Sequence, residues 1–291
     1  MTADSAPGSR LIVVGVDVGG TEVARMPLGH GDEPNALLAG LGWDVLRVRD
    51  VVRHPVERQV LTLTFVVAPS FTGPRTVQPP STRARSPRGD GEVSQLNEAL
   101  AEGGASEGEV ALRHQRVAAY AVVTSSRGFL MTQFSGRTGA EGQWGLPGGG
   151  LEEQEAPDRA VVREVWEESG QVIELSELAL VATSRWVGLA PGGRLEDFHA
   201  VRVIYRASCP EPTEPVVHDV GGTTASAAWV VPARVDLLAL TTGWRSILRE
   251  VTGLGAASTG VSGVVMAPDE TDRPDDHHHH TDTDDPARPE S

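Results

Sequence analysis

The chain has 291 residues, 39% hydrophobic and 22% charged, with a formal net charge of −15, which allows one large domain or two modest ones around a real core. Nine acidic residues against two arginines fall in 269–291; the remainder is mildly acidic, which excludes a non-specific nucleic-acid binder, whose affinity rests on a basic face. All 25 basic residues are arginine, so lysine Schiff-base chemistry and a lysine-dependent Walker A loop are excluded as well.

Residues 1–9 read as a flexible polar leader without the basic-then-apolar order of a secretory signal, and no run nears the ~18 apolar residues of a membrane span. The single cysteine, Cys209, rules out an intrachain disulfide and fits a reducing compartment. A cytoplasmic protein with no membrane partner is expected. Residues 10–69 predict a small α+β unit. Its strands fall at 11–16, 22–28, 43–51 and 59–67, and its helix at 32–41 has Asp32 as N-cap and Pro34 in the first turn. Residues 70–112 are rich in Pro, Ser, Thr, Arg and Gly and read as a linker, with a short helix in VSQLNEALAEG at its end.

Residues 113–254 predict a second globular domain. A strand pair at 117–126 and 128–134 leads into the glycine-rich WGLPGGGLEEQE, then a helix over 156–169 ended by Gly170. Strand patterns follow at 172–181, 200–205 and 227–231, and helical spacing runs over 235–251. Residues 255–291 read as a disordered acidic tail, in which His277–His280 form an inert or incidental metal-binding tract.

The pentapeptide Asp-Val-Gly-Gly-Thr occurs at 17–21 and again at 219–223. The first copy, after an apolar strand, resembles the phosphate-gripping turn of the actin-like sugar kinases. Such a kinase needs two lobes and further motifs, yet only residues 22–69 stand before the linker. Gly-Gly after Asp between apolar strands predicts a hairpin turn instead. The second copy predicts a loop entering the strand at 227.

Chemistry concentrates in 148–171. On a helix, Glu164, Glu167 and Glu168 stand at i, i+3 and i+4 and share one face. Three carboxylates that close repel one another unless a cation neutralises them, and hard oxygen donors suit Mg²⁺ or Mn²⁺. Val161, Val162 and Val165 form a neighbouring stripe fit to cover a sheet. Gly148, Gly149 and Gly150 allow close backbone approach to a ligand.

The run Gly149, Glu155, Arg163-Glu164-Val165-Trp166-Glu167-Glu168-Ser169-Gly170 resembles the Nudix box, G-x5-E-x7-R-E-U-x-E-E-x-G-U, with U a bulky aliphatic residue. Every fixed polar position matches; the last aliphatic position holds Gln171, with Val172 next. The resemblance implies a MutT-like Nudix hydrolase: an α/β/α sandwich with a mixed sheet, preceded here by the small α+β unit. It implies Mg²⁺ (or Mn²⁺) and a small-molecule nucleotide substrate, either a nucleoside triphosphate or a nucleotide sugar, cleaved at its diphosphate linkage. Glu167 and Glu168 would be metal ligands, Glu164 a third ligand or general base, and the Gly148 carbonyl a further ligand. Glu155 would pair with Arg163 and pin loop to helix.

Some family members take the base from a loop beyond the box; the candidates here are Glu196, Asp197 and Asp219. Trp144 and Trp186 flank the loop and offer a stacking surface for a base or, equally, core filling. His199 reads as a strand histidine. The resemblance also permits a non-catalytic nucleotide or ADP-ribose sensor, but such sensors lose box glutamates that are present here. A homodimer is left open.

Overall fold

The computed structural model of the chain describes residues 9–70, 111–189 and 195–254. Residues 1–8 of the expected leader (1–9), residues 71–110 of the expected linker (70–112) with its short helix, and the tail with His277–His280 lie outside the described residues, while Leu112, expected in the linker, is already in a strand.

The first unit runs β1 (Arg10–Val16), β2 (Glu22–Pro27), α1 (Pro34–Gly40), β3 (Trp43–Arg53) and β4 (Val60–Pro69). These strands form one sheet in the order β2-β1-β4-β3, with β1 and β4 parallel and the other neighbours antiparallel. The first Asp-Val-Gly-Gly-Thr is the β1–β2 turn: the Gly20 N–H donates to the Asp17 carbonyl at 2.9 Å and the Thr21 N–H to Asp17 Oδ1 at 2.8 Å. Helix α1 is N-capped by Glu33, not by Asp32. Asp32 instead turns back to accept the Gly29 N–H at 2.9 Å, a local Asx-type bond that closes the preceding loop.

The second unit runs β5 (Leu112–Ser125), β6 (Gly128–Phe134), β7 (Trp144–Gly145), β8 (Gly148–Gly150), α2 (Pro157–Ser169), β9 (Glu174–Leu189), β10 (Leu195–Ser208), β11 (Thr224–Val230), α3 (Pro232–Val235) and α4 (Thr242–Thr252). Its mixed sheet has the order β11-β6-β5-β10-β9, with β7 on β6 and β8 on β5. β5 and β10 are parallel and central. The near-continuous apolar run of β5 from Val117 to Val123 is what a strand covered on both faces requires.

The alternation of that strand shows the layers. Val117, Ala119, Ala121 and Val123 join the cluster that contains Ala160, Val161 and Val165 of α2. Ala118, Tyr120 and Val122 join the cluster that contains Trp244, Ile247, Leu248 and Val251 of α4. The domain is thus an α/β/α sandwich, as expected. Val162 departs from the expected stripe: it is 40% exposed, because the buried arc of α2 is set by 157, 160, 161 and 165.

Of the expected closing helix over 235–251 only the part from Thr242 onward forms, as α4; α3 ends at Val235. Thr241 caps α4 by accepting the Trp244 N–H, and Leu240 bridges to Trp144. Strand β9 starts two residues later than expected and runs on to Leu189, antiparallel to β10 throughout. Sequence reading stopped at 181 because the later residues, Ser184-Arg185-Trp186, carry no apolar alternation.

The two units share one core. Leu11, Val13, Leu38, Leu61, Leu63 and Phe65 belong to the same apolar cluster as the α2 face of the second sheet. A polar seam borders it. Arg185 forks Asp197 with two bonds of 2.7 Å, His30 Nε2 lies 3.0 Å from Asp197 Oδ1, and the Gly31 N–H donates to His199 Nδ1 at 3.1 Å. Among the described residues no helix is long and apolar enough to cross a membrane.

Candidate active site

Strand β8, the loop 151–156 and helix α2 create one wall of a cleft of about 720 Å³. Pro157 opens α2 at its first turn, where its missing N–H costs nothing, and Gly170 ends the helix in the left-handed region at φ 67°. Burial of Val161 and Val165 fixes the helix rotation. That rotation turns Glu164, Glu167 and Glu168 to the cleft, whose lining also contains Gly148, Gly149, Gly150 and Arg163.

Arg163 organises this wall. It holds Glu155 with a two-bond fork, Nε to Oε1 at 3.0 Å and Nη2 to Oε2 at 2.9 Å. Nη2 also donates to the Gly150 carbonyl at 3.1 Å. Nη1 donates to Glu164 Oε1 and Glu167 Oε2, both at 2.9 Å. The Glu155 fork above all holds the guanidinium proton far above its ordinary value. Burial pushes the Glu155 carboxyl up, but the fork, the Glu152 N–H and the charge of Arg53 outweigh it and leave it below the usual range.

Glu168 is buried. The Gly148 N–H donates to its Oε2 at 2.8 Å and the Thr224 hydroxyl to its Oε1. Gly148 reaches this position at φ +138°, and a Cβ there would collide with the Ala119 carbonyl, so only glycine serves. Burial first, then the nearby Glu164 and Asp219 charges, push Glu168 up to about 8 despite its two donors. Burial also raises Glu164, with Arg163 opposing.

The second Asp-Val-Gly-Gly-Thr also borders the cleft: Asp219, Val220, Gly221, Gly222 and Thr223 all line it. It is held against α2 by the His218 and Asp219 N–H groups, both donating to the Glu167 carbonyl at 2.7 and 3.1 Å. Of the three candidate bases, Asp219 alone belongs to this cleft. Glu196 and Asp197 begin β10 at the seam, facing His114 and the Arg185–His30 pair. Trp144 sits in β7, packed against the α4 cluster, and Trp186 stacks on Phe198 at 5.7 Å; neither lines the cleft. His199 is buried at the seam.

The position of Gln171 has a clear local cause. Its side chain is buried and bonded on both ends: Nε2 donates to the Ser169 carbonyl and Thr213 Oγ1, and Oε1 accepts the Thr213 N–H at 3.0 Å. A polar anchor to the 213 loop thus replaces an aliphatic contact, while Val172 is 74% exposed.

Sequence reasoning missed Arg116, Arg137, Trp166, His218 and Thr224. The first four line the cleft, and Trp166 stacks on His218 at 4.5 Å with an 18° interplanar angle. Trp166 precedes Glu167 on the same helix, so a helical wheel finds it. The others come from strands and loops that only the fold brings in.

Among the described residues no three acidic, His or Cys side chains converge closely enough to cage an ion as they stand. Glu164 and Glu167 are turned onto Arg163, and Glu168 onto Gly148 and Thr224. The donor set still fits a hard divalent cation. Four carboxyls, of Glu164, Glu167, Glu168 and Asp219, line one cleft, and the repulsion from Glu164 and Asp219 that adds to burial in raising Glu168 is what a cation relieves.

A family model described as the NUDIX domain matches residues 114–251. Residues 114–251 are thus a Nudix domain within the chain. The Nudix domain is 33% identical over 100 residues to a "MutT-like protein" of Streptomyces ambofaciens; the match spans 34% of this chain and 55% of that relative. Among solved structures it is similar to the MutT NUDIX hydrolase from Burkholderia pseudomallei. That likeness has 28% identity and a TM-score of 0.36, over 48% of this chain and 99% of the other. It is also similar to the NUDIX domain of Shewanella oneidensis NrtR complexed with ADP ribose. There the identity is 21% and the TM-score 0.36, over 53% of this chain and 94% of the other.

Proposed function

We propose that the protein is a divalent-metal-dependent Nudix hydrolase that cleaves the diphosphate linkage of a nucleoside diphosphate derivative by water attack. One observation carries this reading above the rest: Arg163, forked to Glu155, holds the α2 carboxylates at the cleft in the register of the box. A sensor without turnover has no need of all four acidic groups together.

Glu164, Glu167 and Glu168, with the Gly148 carbonyl, are the proposed holders of Mg²⁺ or Mn²⁺. Such an ion supplies charge neutralisation at the phosphoryl oxygens and lowers the pKa of an attacking water. The chain does the rest. Gly148 and Thr224 orient Glu168 through its two oxygens. Arg163 restrains Glu164 and Glu167 from the side of the loop. Asp219 faces these groups and is the proposed base from beyond the box. Arg116 and Arg137 line the same cleft and bring positive charge to a phosphate chain. Trp166, 50% exposed, offers a flat surface at the cleft for a base or sugar, one of the two roles left open for Trp144 and Trp186.

The test is a panel of nucleoside triphosphates and nucleotide sugars incubated with Mg²⁺, followed by a phosphatase and phosphate detection. At least one class is turned over and turnover stops with a chelator. Binding of a nucleotide without turnover of any member of the panel would instead support the sensor.

A further inference from the structure

The first unit reaches the box loop directly. Arg53, the last residue of β3, donates from Nε to the Glu155 carbonyl at 2.6 Å. Its Nη1 reaches the Arg58 carbonyl and its Nη2 lies 3.4 Å from Ser9 Oγ. Arg58 in turn donates from Nη1 to Gln154 Oε1 at 3.3 Å. Two arginines of the first unit therefore grip two consecutive residues of the loop.

The gripped residues are the ones that need support. Gln154 is the one non-glycine residue with positive φ among the described residues, at 61°, a conformation that stores about 1 kcal/mol or more in a residue with a Cβ. Glu155 carries the fork to Arg163, and Arg163 carries Glu164 and Glu167. The loop's own restraints there are slight: the Glu152 N–H on Glu155 Oε2 at 2.9 Å, and the Glu155 N–H on the Glu152 carbonyl at 3.1 Å. A guanidinium half-buried between two chain segments, with three acceptors in its fork geometry, fixes a backbone carbonyl in a way a flexible ammonium does not.

We infer that Arg53 is a positioning residue for the hydrolytic site: from the first unit it holds the loop at Glu155, so that Glu155 keeps Arg163 aimed at Glu164 and Glu167. This rests on the proposed hydrolase reading. It also gives the first unit a role in the site rather than in the core alone.

The test uses the full chain with Arg53→Ala, Arg53→Lys, Glu155→Gln and the Arg53→Ala/Glu155→Gln pair. Hydrogen exchange at 152–155, melting temperature, kcat and KM are read for each. Arg53→Ala speeds exchange in the loop and lowers kcat about 10–100-fold, as loss of an outer support does. KM moves by less than about 3-fold, because the support acts on the reacting geometry rather than on ground-state binding. Arg53→Lys recovers part of kcat. In the Glu155→Gln background, adding Arg53→Ala changes kcat by less than about 2-fold, because both act through one chain of bonds.

Equal multiplicative losses in the pair, or a kcat loss that only follows melting temperature, would overturn the inference. If Arg53→Ala does not fold, Arg53→Lys carries the same comparison, with faster loop exchange and a smaller kcat loss expected. Wild-type turnover with unchanged loop exchange in Arg53→Ala defeats the positioning role and spares the hydrolase. Absence of any wild-type turnover with a loosened loop in Arg53→Ala defeats the hydrolase and leaves the hold on the loop standing.

Discussion

Arg163 grips Glu155 through two parallel hydrogen bonds of 3.0 and 2.9 Å, and this pair ties the box loop to the helix that bears the other carboxylates. Both side chains are largely shielded, at 23% and 13% exposure. Glu155→Gln keeps the shape and removes the charge. It should cost about 1–3 kcal/mol of stability, less than a fully buried pair would lose. It should lower kcat about 10–100-fold, because Arg163 is then free to reorient. Thermal melts and steady-state kinetics on the same preparation read both effects.

Glu168 links stability to pH in the opposite sense from a salt-bridged carboxylate. An unfolded glutamate titrates near ~4.3, and the folded value is up at about 8. Folding therefore takes up a proton between those values. The contribution to stability is fully present below about pH 4 and is lost as pH rises through about 8. Glu168→Gln removes this dependence: the variant should melt higher than the wild type at pH 8–9 in chelator, while losing activity by on the order of 10²-fold or more. A variant melting lower at that pH would contradict the burial argument.

Thr224→Val deletes the hydroxyl that donates to Glu168 Oε1 while keeping the volume. That donor favours the charged form, so its loss raises the Glu168 value further. The acidic limb of the rate–pH profile should move to higher pH, with maximal kcat lowered about 10-fold or more. Kinetics between pH 6 and 10 decide this.

The seam between the units weakens in acid. Burial, and then His30, hold His199 down at about 4 against ~6.5 when unfolded, so its contribution is present above 6.5 and fades as pH falls towards 4. The Arg185 fork holds Asp197 down to about 2 against ~3.9 unfolded, so that contribution fades below about 4. Melting temperature should fall continuously from pH 6.5 downwards, with the upper part of the fall flattened in His199→Gln and the lower part in Asp197→Asn.

How much of this was legible beforehand depends on where each residue's partners lie. The strands and helix of the first unit and the helix read over 156–169 were legible because their periodicities and Pro and Gly punctuation are local, whereas the sandwich came only from the resemblance of the box. Glu155 and Arg163 were readable because the box spaces them within one loop and helix. For Trp144 the sequence left base stacking and core filling equally open; β7 pairs with β6 and places the indole against the α4 cluster, which sequence distance from the glycine loop does not show. Thr224 and Arg116 were invisible because their partners stand 30 or more residues away in the sequence. The shared core was invisible for the same reason. Leu38 and Leu63 look like the thin interior of a small unit until that unit is laid against α2 and β5.

The central claim is that the cleft carboxylates of α2 hold a divalent cation. Its most direct test is titration of Mn²⁺ into the metal-free full chain, followed by electron paramagnetic resonance, for wild type and Glu167→Gln at equal melting temperature. The account predicts saturable binding by the wild type, displaced by Mg²⁺ and weakened about 10-fold or more in the variant. Equal Mn²⁺ uptake by both proteins, or none by either, would contradict it.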